Sequence, residues 1–298
     1  MFWGILVTIL AQITNGTVSV FDKFMLQRSL RPTNFAFWIA LTSLSVFVLL
    51  PFNFAWPNGA QWYFDLAAGA TFIFAVFFMY IAMEREEITR VVPVIGCLTP
   101  VFTLFISSYY LKDSLNLNQI VAVIIILAGI FLLTYQHSKK PIHWLIFSSA
   151  FVAAFLFALS AVLMKNIFSD QAFIPALAWS RLGGVIIIPF VLLDRQTRSD
   201  IFKNREMPRK GNLLIFGLGR IFSASGFILV NYAYFLLNPT IVNALQGIQY
   251  AYLFMATLLL SRFWPQILTE KISRPLLFTK ISGIALIILG TVILALNS

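Results

Sequence analysis

The feature that most constrains this chain is a succession of apolar runs, each about twenty residues long, separated by short polar gaps. A helix rises about 1.5 Å per residue, so about twenty residues cross a hydrocarbon layer roughly 30 Å thick. A backbone inside hydrocarbon has no water to bond and must satisfy its own N–H and C=O groups, which leaves helices or closed barrels. Barrel strands alternate polar and apolar residues, whereas these runs are continuous. Composition points the same way. Hydrophobic residues make up 60% of the 298 positions, charged residues 11%, and mean hydropathy is +0.88. A water-soluble domain carries about 25% charged residues, so this chain cannot cover a water-facing surface. The sequence predicts an all-α polytopic membrane protein.

The runs predict about ten transmembrane helices, over residues 2–21, 35–52, 62–83, 91–111, 119–136, 143–164, 174–193, 212–235, 240–261 and 279–296. Nothing basic precedes the first run at Phe2, and no A-x-A-like site follows it, so this run is expected to stay in place as the first helix. The longer connections are 194–211, with Arg195, Arg198, Lys203, Arg205, Arg209 and Lys210, and 262–278, with Pro265 and Pro275. Trp3, Trp38, Trp56, Trp62, Trp144 and Trp264 fall near span ends, where amphipathic rings favour the headgroup layer.

A net charge of +10 would suggest nucleic acid in a soluble protein. Here the basic residues lie between apolar spans, where they set topology and meet anionic headgroups, so the expected partner is the lipid bilayer and not nucleic acid. Outside the spans, the even-numbered connections hold only Lys112 and Lys165 of the lysines and arginines. The positive-inside rule therefore places the odd connections in the cytoplasm and both termini outside. A lone cysteine, Cys97, rules out a disulfide framework. His137 and His143 have no metal-ligand company, and neither a metal nor a cofactor is expected.

The two halves repeat. Asn118–Tyr135 overlays Thr279–Leu296 without a gap, pairing Ile120 with Ile281, Ile126 with Ile287, Gly129 with Gly290 and Leu133 with Leu294. The fourth run overlays the ninth, with Val91 on Ile241 and Leu104 on Phe254. Pro51-Phe52 and Pro189-Phe190 end the second and seventh, and Lys23 and Lys165 follow the first and sixth. Five helices per copy is odd, so the second copy enters the membrane inverted. Inverted repeats supply two pseudo-equivalent conformations, as alternating access needs. The expected division is 1–138 and 139–298.

Further features are Ala82-Met83 before a polar turn, Pro100-Val101-Phe102-Thr103 at the centre of Val91–Leu111, and Leu111-Lys112-Asp113-Ser114-Leu115 leading to Gln119-Ile120 and Ala128-Gly129. In the second half they are Ala233-Tyr234, Asn243-Ala244-Leu245 and Gly283 through Gly290. On these residues the chain resembles the drug/metabolite transporter superfamily, in its EamA-like branch. The resemblance implies two inverted five-helix repeats, cytoplasmic termini and a transport role in the cell membrane as a monomer or homodimer. The family's Leu-Gly-Glu is replaced here by Leu111-Lys112-Asp113.

Charges inside hydrocarbon cost about 2.5–3.5 kcal/mol at a helix centre on insertion scales. Arg181 lies about 10 Å, and Arg220 about 12 Å, into its run at 1.5 Å per residue. Each either binds a carboxylate or phosphate of a small-molecule substrate through its planar fork, or ties helices together. Asn231, Asn243, Gln246, Gln249 and Tyr250 are candidate substrate-binding groups. The spacing of Asn243, Gln246 and Gln249 puts them on one helical stripe, lining a pathway or joining helices. Asp22, Lys23 and Lys165 are candidates for coupling or gating. The acidic residues Asp22, Asp65 and Glu84 all sit near span ends. The reading that follows is a secondary transporter of a small, anionic metabolite. An exporter of amphipathic or amino-acid-like solutes is the alternative. A membrane-embedded non-transport protein comes third, and an enzyme would need a His/Asp/Glu cluster that the spans lack.

Overall fold

The computed structural model describes residues 2–26, 32–85, 88–112, 115–134, 144–193, 198–199, 213–263 and 274–296. In order these form α1 (Phe2–Leu26), α2 (Pro32–Ser43) running into a 3-10 segment (Leu44–Phe52), α3 (Gly59–Arg85), α4 (Ile88–Tyr110) and α5 (Leu117–Thr134). The second half holds α6 (Trp144–Asp170), α7 (Phe173–Val185), α8 (Ile187–Leu193), α9 (Leu213–Leu236), α10 (Pro239–Ala244), α11 (Gly247–Phe263) and α12 (Arg274–Leu296). No strand occurs among the described residues.

Stretches of four helices, Phe2–Ser19, Gly59–Ala82, Phe147–Asp170 and Leu277–Leu296, are long and apolar enough to cross a membrane, and four shorter apolar helical stretches accompany them. Only 28% to 44% of each long stretch is buried inside the protein, so most of its apolar surface faces outward. Leu10, Phe151 and Ile288 are among the large side chains exposed there. A surface of that kind belongs against lipid. The chain is an integral, multi-pass, all-α membrane protein.

Helix starts follow local chemistry. Asn58 and Gln61 exchange bonds at the head of α3, Asn58 N to Gln61 Oε1 at 2.8 Å and Gln61 N to Asn58 Oδ1 at 2.9 Å. Asn116 and Gln119 repeat the device at α5, at 3.0 and 2.8 Å. Each pair satisfies two amides that a helix N-terminus leaves free.

Three of the spans expected as single helices are broken. The second turns from α-helix to 3-10 helix at Leu44, and the seventh breaks at Ile186. Pro189 has no N–H to donate to the Val185 carbonyl, and its ring crowds that oxygen. The ninth breaks at Leu245-Gln246, where the turn tightens: Gln246 N donates to Asn243 O at 3.2 Å, Ile248 N to Leu245 O at 3.0 Å and Gln249 N to Gln246 O at 3.0 Å. The sixth is longer than expected and continues past Lys165 to Asp170.

The helices pack in pairs: α5 against α12, α3 against α6 and α7, α1 against α9 and α11, and α4 against α6 and α10. At the α5–α12 crossing, a Cβ on Gly129 would lie 2.7 Å from the Gly283 carbonyl oxygen and 2.8 Å from Ile287 Cγ1. A Cβ on Gly290 would lie 2.8 Å from the Ala122 oxygen and 2.5 Å from Ile126 Cγ1. Residues that the sequence repeat equates, Gly129 with Gly290 and Ile126 with Ile287, therefore exchange contacts across the crossing. At the α3–α7 crossing the backbone of Ser180 presses on Gly69 and that of Leu66 on Gly183, so neither glycine has room for a side chain.

Candidate functional site

Arg181 sits in the middle of α7 with 3% of its surface exposed. The Ser180 hydroxyl donates to the Leu177 carbonyl at 2.9 Å, which turns its lone pairs toward the guanidinium. It accepts from Arg181 Nε at 3.3 Å and from Nη2 at 3.1 Å. Nη2 also lies 3.8 Å from Met164 Sδ on α6. The guanidinium carbon is 4.5 Å from the ring centre of Phe227 on α9 and 5.5 Å from that of Phe72 on α3. Those centres are themselves 5.9 Å apart, so the rings form one wall and not a sandwich. Among the described residues no carboxylate lies within ion-pair distance of Arg181, and Nη1 has no acceptor. Four helices thus converge on a buried cation whose protein neighbours are all neutral. Such a charge is costly unless something neutralises it.

The second turn of α7 is anchored by aromatic stacking. Trp179 donates from Nε1 to the Ala55 carbonyl at 2.8 Å and stacks on Trp56 at 4.8 Å, with Trp62 edge-on at 5.3 Å. Trp56 and Trp62, expected at the headgroup level, thus pack on the helix that carries the arginine.

The break between α10 and α11 holds a second polar group. Asn243 donates from Nδ2 to Thr103 Oγ1 on α4 at 2.8 Å and accepts from the Tyr234 hydroxyl on α9 at 2.7 Å. Thr103 in turn donates to the Thr99 carbonyl at 2.7 Å. Asn238 reaches Ser107 at 3.4 Å and caps the Thr240 amide at 2.8 Å. The Thr240 hydroxyl is fully buried and has no partner among the described residues. Tyr250 is buried with its hydroxyl against Gly96.

The proposed stripe of Asn243, Gln246 and Gln249 is not continuous. The break turns Asn243 toward α4 and α9, while Gln249 donates to Ser19 on α1 at 3.2 Å. Gln246 lies in the tight turn, half-buried, and its side-chain amide has no partner among the described residues. Asn231 donates to the Phe227 carbonyl at 2.9 Å, one turn from the ring that covers Arg181. Lys165 donates to the Phe235 carbonyl at 3.0 Å, which satisfies the C-terminal turn of α9. Asp22 and Lys23 on α1 and Arg220 on α9 lie on described helices, but their side chains fall outside the described residues. So do His137, His143, Glu84 and most of the 194–211 and 262–278 connections.

Three polar residues escaped the sequence reading. Asp65, placed near a span end, is fully buried, with both carboxylate oxygens 3.2 Å from Gln171 Nε2. Lys280, at the head of the tenth run, is buried on α12 with its ammonium 4.6 Å from the Phe254 ring centre. Gln12 on α1 is buried against Val242. Asp65 and Lys280 are each a lone charge in an apolar run, the same signal that marked Arg181.

Residues 2–135 match the EamA-like transporter family. The first half of the chain is EamA-like. One relative, the uncharacterized transporter YxxF of Bacillus subtilis (strain 168), is 26% identical over 129 residues, which is 42% of this chain and 41% of that protein. The chain thus aligns with about two fifths of that relative. A protein crystal structure superposes over 99% of this chain and 96% of its own with a TM-score of 0.65 at 15% identity, so the fold is shared from end to end. The EamA-like half contributes Thr103, Phe72 and Gln12 to the polar sites, and the second half contributes Arg181, Asn231 and Asn243.

Proposed function

We propose that this chain is a membrane transporter that carries a small anionic solute by alternating access of the halves 1–138 and 139–298. The observation that carries the anionic part is Arg181, a buried guanidinium whose outer edge meets only the weak acceptor Met164 Sδ, with no carboxylate near it among the described residues. A solute carboxylate or phosphate would neutralise that charge and take up the fork. Asn243, Gln246, Gln249 and Tyr250, at the break of α10 and α11, are the second polar surface along the path, and Asn231 adjoins the first. Arg220 lies on the same helix as Asn231. Asp22, Lys23 and Lys165 stand at helix ends, where gating or coupling groups act. The working partners are the solute and the lipid of the cell membrane, with the protein monomeric or homodimeric.

The test is a thermal-shift screen of the purified chain against metabolites, because a ligand that binds only the folded state raises stability by mass action. Flux of the strongest ligand into proteoliposomes follows. The expected ligands are anions, taken up by the wild type and poorly by Arg181→Lys, which keeps the charge and loses the fork. A cationic ligand, or equal uptake by a well-folded Arg181→Lys variant, overturns the reading.

A further inference from the structure

The surroundings of Arg181 narrow the class of anion, on the reading that the site takes one. The geometry points to a monocarboxylate with an apolar body, bound edge-on to the Arg181 guanidinium with its body along the Phe72–Phe227 wall. Charge is the first argument. The described groups around the guanidinium are Ser180, Met164, Phe72 and Phe227, all neutral. Lys165 is engaged at the Phe235 carbonyl and Lys280 lies on Phe254, so neither adds a second cation here. The side chain of Arg220, seven residues before Phe227 on α9, lies outside the described residues, so Arg181 is the one cation among the described side chains of the site. One negative charge makes the site neutral. A second would be buried uncompensated, at an effective penalty of several kcal/mol.

Donor supply is the second argument. Arg181 lies mid-helix in α7, so the backbone amides beside it are spent in the helix. The Ser180 hydroxyl proton is spent on Leu177, and one of the two Asn231 amide protons on Phe227. What is left is the outer edge of the guanidinium, Nη1 together with the Nη2 proton that rests on the weak acceptor Met164 Sδ, and a carboxylate in place of the sulfur takes these as two parallel donors. The three acceptor oxygens of a phosphate monoester would be under-served. Apolar packing is the third. The phenyl wall and the Met164 thioether offer area and polarisability to a hydrocarbon body and nothing to a polyhydroxylated one.

Three probes share one ring and differ in the head group: phenylacetate, phenyl phosphate and phenethylammonium. Binding to the full chain in lipid nanodiscs is titrated calorimetrically at about pH 8, above the second phosphate pKa of about 6. The expected result is phenylacetate tightest, with the other two at least about tenfold weaker. Arg181→Gln loses phenylacetate binding, and Phe227→Leu, which keeps the charge and removes a ring, weakens it. Phenyl phosphate binding as tightly as phenylacetate overturns the monocarboxylate inference and leaves the anion reading standing. Phenethylammonium binding tightest, or phenylacetate binding equally to wild type and a folded Arg181→Gln, overturns both. Unchanged affinity in Phe227→Leu, or no binding of any probe to the wild type, overturns the inference.

Discussion

The side-chain amide of Gln12 on α1 donates to the backbone carbonyl of Val242, 3.4 Å away, at the point where α10 stops being an α-helix. In an unbroken helix that carbonyl would accept from Gln246 N, which instead closes on Asn243 O at 3.2 Å. Helix α1 also meets the far side of the break: Ser19 accepts from Gln249, and Thr17 bonds the Tyr252 hydroxyl at 3.1 Å. One helix of the EamA-like half thus splints both pieces of a broken helix of the other half.

Removing the splint exposes its contribution. In Gln12→Leu the Val242 carbonyl is left buried without a donor, and such a group costs about 1–3 kcal/mol. The long bond places the expected effect near the lower limit. The apparent Tm of the purified variant is expected to fall, and Gln12→Asn, whose shorter amide cannot span the gap, is expected to fall with it. An unchanged Tm in both would show that the carbonyl is satisfied in another way.

The Tyr234–Asn243–Thr103 chain is expected to behave as one unit. Tyr234→Phe and Thr103→Val each leave one pole of the Asn243 amide unpaired, and each should destabilise by about 1–3 kcal/mol. Because they share Asn243, the double variant should depart from additivity by about 0.5 kcal/mol or more, whereas residues with no common partner add. Denaturation of the two singles and the double measures the coupling.

The α5–α12 crossing has no space for side chains. Gly129→Val would drive methyl groups into the Gly283 backbone and Ile287, so a loss of about 1–3 kcal/mol or more is expected from overpacking. Gly59→Ala, at the head of α3 with nothing within 4 Å of a Cβ, is the control, and should be neutral or slightly stabilising. The yield of monodisperse protein and its Tm separate the two.

Orientation is decided by a C-terminal reporter active only in the cytoplasm. The excess of lysine and arginine in the odd connections places both termini outside, so low reporter activity is expected. Strong activity would instead favour the cytoplasmic termini that the family resemblance implies. In that case the positive residues lie against the outer leaflet.

Much of this molecule was legible in its residues alone. Apolar runs about twenty residues long can only be helices in a membrane, because no other local structure satisfies its own backbone there. The gapless register of Gly129 on Gly290 and Ile126 on Ile287 was readable as a repeat, and that the two helices cross came from the structure. Pro189, with no amide to give, accounts for the break after α7, but the run 174–193 was expected as one helix. Arg181 announced itself by its depth in an apolar run. Other features came only with the tertiary structure. No local signal shows that the helix of Asn243 breaks at Leu245, because the groups that hold the break, Gln12 and Thr103, are 230 and 140 residues away in sequence. For the same reason Asn243 and Gln249, on one face of an ideal helix, bond to different helices. The neutrality around Arg181 was equally hidden, since Met164, Phe72 and Phe227 come from three other helices. Helix formation in a membrane is settled within the segment, by hydrogen bonds four residues apart. The environment of a buried side chain is settled by whichever distant helices pack against it.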